Sequence, residues 1–124
     1  MAKYLLIMNY EGGAGCDTPM GEWDPADIRA HIDFQIALDK ELSAAGELID
    51  SQGLGQTVTR VISDGDTTTR ETAPVDGRLA GYRLVDVDSE ERAVAIAARC
   101  SAAPALGGKP IQQPIEVRQV MTAP

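Results

Sequence analysis

The only histidine of the chain, His31, stands four residues before Gln35 and eight before Asp39. These three share one stripe if the stretch is helical. An imidazole so placed can exchange protons near neutral pH, most effectively when a carboxylate holds its second ring nitrogen. Asp39 is two turns along the same helix, too far for that contact, so the partner is expected from a strand. In "GYRLVDV" alternation puts Asp86 on the same side as Tyr82 and Leu84. The catalytic candidates are therefore His31 to transfer a proton, Asp86 to orient it and Tyr82 to polarise an oxygen. The plainer reading has His31, beside Ile32, Phe34 and Leu38, as a hydrogen-bonded core residue, and Tyr82 as sheet packing.

A second set of side chains suits binding. Tyr10 and Trp23 flank the glycine-rich loop "EGGAGCDTPMG" and can rim a pocket with Gln35 on the helix. A lining rich in Ala, Leu and Ile would favour a small apolar or aromatic molecule. Arg60 and Arg70 fall on neighbouring strands of an expected hairpin, where they could hold a carboxylate or phosphate as cross-strand neighbours. Trp23 serves equally as a helix staple, and the threonine-rich hairpin equally as a solvated one. "EGGAG" lacks the Lys, the Ser or Thr and the immediate helix of a phosphate loop, and no dinucleotide fingerprint occurs. "DGDTTT" lacks the later acidic ligands of a calcium loop. Cys16 and Cys100 have no neighbouring His and form no CxxC, so neither a metal nor a disulfide framework is expected, and no cofactor is implied.

The elements that must position these groups are legible from punctuation and period. "KYLLIM", residues 3 to 8, reads as a strand. Asp24 as cap, Pro25 at the first helical position, Asp27 in the first turn and a staple from Trp23 to Ile28 start a helix that Gly46 stops. At about 100° per residue its apolar arc takes in Ile28, His31, Ile32, Phe34, Ile36, Leu38, Leu42 and Ala45. "LIDSQGL" is a short strand, residues 57 to 63 and 67 to 73 form a hairpin across Asp64, Gly65 and Asp66, and residues 77 to 88 supply another strand. Asp88 or Ser89 caps the helix "SEERAVAIAARC"; an irregular connector and the closing strand "IEVRQVM" follow. The order β-α-β, hairpin, β-α-β predicts an α+β fold, a ferredoxin-like βαββαβ variant with an additional hairpin. Both helices then lie on one sheet face. The other face has no cover left in the chain, so a second copy is expected to seal it in a dimeric α/β barrel.

Residues 1 to 124 fit one domain, whose aromatic content of 4% implies a thin core. A net charge of -8 with no basic run argues against nucleic-acid binding. No apolar stretch approaches a membrane span and the N-terminus has no signal-peptide pattern, so a soluble, cytoplasmic protein is expected.

Three pieces, "KYLLIMNYE", "ELSAAGELIDSQGL" and "LAGYRLVDVDSEERAVAIAARC" with "IEVRQV", together resemble the YCII-related superfamily, in particular its branch named for an Asp-Gly-Pro-Phe motif. They run in order from residue 3 to residue 120. The motif itself is eroded: in "ETAPVDGRLAGY" Pro74 and Val75 stand for Pro-Phe, while Thr72 and Ala73 stand for Asp-Gly. The resemblance implies a ferredoxin-like subunit, a homodimeric barrel and clefts between helices and sheet. Some members of the family occur beside or fused to transcription sigma factors, which implies a regulatory protein partner, and one branch includes an enzyme that removes chloride from a hydroxylated aromatic ring. Members of the wider superfamily carry a helix histidine with an acidic partner, and His31 resembles it by its element. The expectation is a small-molecule-binding or interaction protein of unassigned activity. The alternative is a cofactor-independent enzyme performing general acid/base chemistry, elimination or isomerisation, on a small metabolite such as an aromatic one.

Overall fold

The computed structural model describes residues 2–9, 14–75 and 79–122. Among the described residues six strands and two α-helices follow in the order β1 (Ala2–Met8), α1 (Pro25–Ala44), β2 (Leu48–Gly53), β3 (Thr57–Ser63), β4 (Thr68–Pro74), β5 (Gly81–Val87), α2 (Glu90–Ser101) and β6 (Ile115–Gln119). Four strands form a sheet in the order β2-β5-β1-β6, antiparallel throughout, and β3 with β4 forms a separate antiparallel ribbon. Two antiparallel sheets and two helices make an α+β architecture broadly compatible with a ferredoxin-like fold. The four-stranded sheet is open, not closed into a barrel.

Alternation along the central strands divides the chemistry between two faces. Tyr4 and Leu6 of β1 and Arg83, Val85 and Val87 of β5 point toward the helices and are buried. They pack with Leu38 and Leu42 of α1 and with Ala93, Ile96, Ala97 and Cys100 of α2. Alanines on the inner side of α2 let it lie close against the sheet. Leu5, Ile7, Tyr82, Leu84 and Asp86 point the other way and are half-buried. No described element packs over them.

Helix α1 starts where punctuation predicted, with one difference. The Asp24 carbonyl accepts from the Asp27 and Ile28 amides, but its side chain makes no capping bond. Trp23 does share a cluster with Ile28. The buried stripe is narrower than the predicted arc, because Ile32 and Ile36 are 43% and 48% exposed and face away from the sheet. Ser89, rather than Asp88, caps α2 by accepting from the Arg92 amide.

The connector after α2 is more ordered than its sequence suggests. Pro104 and Pro110 bridge, and the amides of Ala105 and Ile111 bond to the carbonyls of Lys109 and Ala103. Ala103, Ala105 and Ile111 bury themselves against Trp23 as a second, smaller core. Gly15 presses on this connector so closely that a Cβ would lie 2.0 Å from the Pro110 oxygen. Packing, not phosphate recognition, accounts for a glycine there.

Candidate functional site

The site is built where α1 crosses the ends of β1, β2 and β5. A cleft of about 800 Å³ opens there, walled by His31, Gln35 and Asp39 from α1, with Arg83 from β5, and closed by the loop through Cys16, Met20 and Trp23. Its size lies within the range of small-molecule sites. Met8, Met20, Trp23 and Ile111 make much of the lining apolar.

A chain of hydrogen bonds runs along the helix wall. Arg83 is 1% exposed, and a buried charge needs partners on every side. Its Nε donates to Asp39 Oδ1 at 2.7 Å, its Nη2 to Gln35 Oε1 at 2.6 Å and to the Gln35 carbonyl at 3.3 Å, and its Nη1 to Cys100 Sγ at 3.3 Å. Because Arg83 claims the Gln35 oxygen, the Gln35 amide nitrogen faces His31, donating to Nε2 at 3.3 Å. His31 Nδ1 lies 2.8 Å from the Pro104 carbonyl, which can only accept. The proton therefore sits on Nδ1, and Nε2 presents its lone pair. Trp23 meets the imidazole edge-on with centroids 5.6 Å apart, and its indole N–H donates to the Thr18 carbonyl at 2.8 Å. Burial raises the Cys100 thiol pKa above its ordinary value, outweighing the opposing pull of Arg83.

The structure does not bring the expected catalytic trio together. Tyr82 and Asp86 share a face of β5, but it is the face away from α1, so the sheet lies between them and His31. The physical reason is strand phase: Val85 and Val87 are core residues, and Arg83, in phase with them, points at the helix in place of its even-numbered neighbours. Tyr82 instead donates to Asp50 Oδ2 at 2.7 Å. That bond holds the Asp50 pKa below the ordinary carboxylate value and raises the Tyr82 pKa. Asp86 sits opposite Lys3 in the β1–β5 register, with Oδ1 buried and without a hydrogen bond.

Of the expected binding residues, Trp23 and Gln35 line the cleft, whereas Tyr10 lies outside the described residues. The arginine pair is corrected. In the hairpin register Arg60 faces Glu71 and Arg70 faces Val61, which places the two guanidinium groups on opposite faces of the ribbon. They cannot grip one anion between them. Arg60 borders a separate groove of about 450 Å³ at the ribbon's base. Asp39 and Arg83 were missed as site residues. The available signal was the phase of Arg83 with Val85 and Val87, which marks a charge on the core side of a strand.

No protein-family model matches the chain, and no curated protein sequence matches it significantly.

Proposed function

We propose that the chain is a small-molecule-binding protein whose ligand occupies the cleft between α1 and the sheet. The carrying observation is the pairing of an apolar lining with a helix wall whose polar atoms are held in fixed orientation, His31 by Pro104 and Gln35 by Arg83. Such a site offers shape and a few directed hydrogen bonds, which is what a preformed binding pocket needs. A screen of small-molecule fragments followed through backbone and His31 ring resonances tests it. Hits that shift His31, Gln35 and Trp23 together support the reading; hits confined to other surfaces, or none at all, reject it.

We further propose that two copies join through the outer sheet face in a dimeric α/β barrel. Leu5, Ile7, Tyr82 and Leu84 form its apolar centre, uncovered by any described element.

One observation favours acid/base chemistry as a second reading: Nδ1 is anchored to a backbone carbonyl and the Nε2 lone pair faces the cleft side of α1, where a substrate proton would displace only the 3.3 Å Gln35 N–H to reach it. In this version His31 works without Asp86 or Tyr82. Fragments that bind should then exchange a carbon-bound proton with deuterated solvent, and His31→Gln should abolish the exchange while retaining binding. Equal exchange in both proteins would sink this reading.

A further inference from the structure

Arg83 is the only arginine or lysine among the described residues that line the cleft, against two carboxylates, Asp17 and Asp39. Its position would make it the natural anchor for an anionic ligand. Yet its hydrogen-bonding capacity is already directed inward, to Asp39, Gln35 and Cys100. Asp39 is the decisive partner, because only it neutralises the guanidinium, and at 2.7 Å the contact is a full charge-assisted bond. A carboxylate entering the cleft would meet the Asp39 and Asp17 charges and find no open cation among the described lining residues. A neutral group with both a donor and an acceptor loses nothing to this arrangement. It can accept from the second N–H of the Gln35 amide, the one not directed at His31, and its own N–H can reach the His31 Nε2 lone pair by displacing the Gln35 N–H that points there at 3.3 Å.

We propose that Asp39 sets the charge selectivity of the cleft: by occupying its one described cation, it tunes the site to an uncharged ligand with a donor–acceptor edge, of the carboxamide class, and against carboxylates. This rests on the reading of the cleft as a ligand site.

Benzamide and benzoate are close isosteres that differ in charge, and the single tryptophan, Trp23, reports on the cleft through its emission. Titration of the whole chain with each at neutral pH should show benzamide binding at least about tenfold more tightly, the cost expected for leaving an anion without a partner. Asp39→Asn keeps an acceptor for Arg83 Nε but removes the neutralising charge. In that variant benzoate should tighten by about tenfold while benzamide stays within about twofold. Adding Arg83→Gln should cancel the gain. Equal or tighter binding of benzoate by the native chain overturns the proposal, as does an Asp39→Asn variant, folded by circular dichroism, in which both probes change alike. If the variant does not fold, the native ratio decides alone. If neither probe binds the native chain, the ligand-site reading falls and the selectivity with it, an outcome distinct from equal binding of both.

Discussion

At the scale of single residues, Arg83 organises the site although it is only 1% exposed. A guanidinium under two helices persists there only because Asp39, Gln35 and Cys100 together receive it. Asp39→Ala should therefore cost about 3 kcal/mol or more of unfolding free energy, read from urea titration, since it strands a buried charge. Replacing both partners by apolar residues, as in Asp39→Leu with Arg83→Met, should cost much less than the sum of the single changes. Additive losses would show that the pair is not coupled. On the outer face Tyr82 is tied to Asp50, so Tyr82→Phe should bring the Asp50 carboxyl back up toward its ordinary pKa, visible in its carboxyl carbon resonance. His31 and Gln35 were identifiable as chemistry-bearing residues from type and spacing. Their orientation was not, because it depends on a carbonyl 73 residues away in sequence.

Among the elements, the two segments with the least regular structure do much of the positioning. The loop before α1 and the connector after α2 meet where Gly15 donates to the Ile111 carbonyl, and between them they hold Trp23 and Pro104 against His31. Gly15→Ala should drive a methyl group into the Pro110 oxygen and cost about 1 to 3 kcal/mol, seen as a lower melting temperature and altered Trp23 emission. An unchanged melting temperature would mean the loop yields freely. The join from α1 to β2 is secured differently, by a bidentate pair in which Arg92 of α2 donates to both Glu47 oxygens at 2.9 and 2.8 Å. Those bonds lower the Glu47 pKa from its ordinary 4.5. A carboxylate whose folded pKa is depressed stabilises above its unfolded value, and that contribution is lost as pH falls through the folded one. Melts recorded from pH 6 downward should show a steeper loss below about pH 4.5 in the native chain than in Glu47→Gln. The β3–β4 ribbon stands apart from these supports: Val61 and Ile62 near its tip are 62% and 73% exposed, and two strands alone are marginally stable.

Across the whole molecule, the outer sheet face of Leu5, Ile7, Tyr82 and Leu84 has no cover from any described element. If a second copy covers it, Leu84→Glu, which places a charge at the centre of that face, should convert dimer to monomer in sedimentation velocity while leaving the helix-covered core intact. A native chain that sediments as a monomer over a broad concentration range would reject the assembly. No described helix is long and apolar enough to cross a membrane. By itself the sequence determined the succession of strands and helices, the hairpin and its turn, and which helix carries the histidine, because those depend on local period, caps and turn chemistry. It also paired Val85 with Val87 and Arg83, and Leu84 with Tyr82 and Asp86, since alternation within a strand is local. Which set turned inward was settled only by the tertiary structure. A strand with apolar residues on both faces has no internal preference; the choice is made when one face must bury against helices and its odd member, here a charge, finds partners on both of them. The same holds for the cleft, whose walls come from segments far apart in sequence and are brought together by the packing of α1 and the connector.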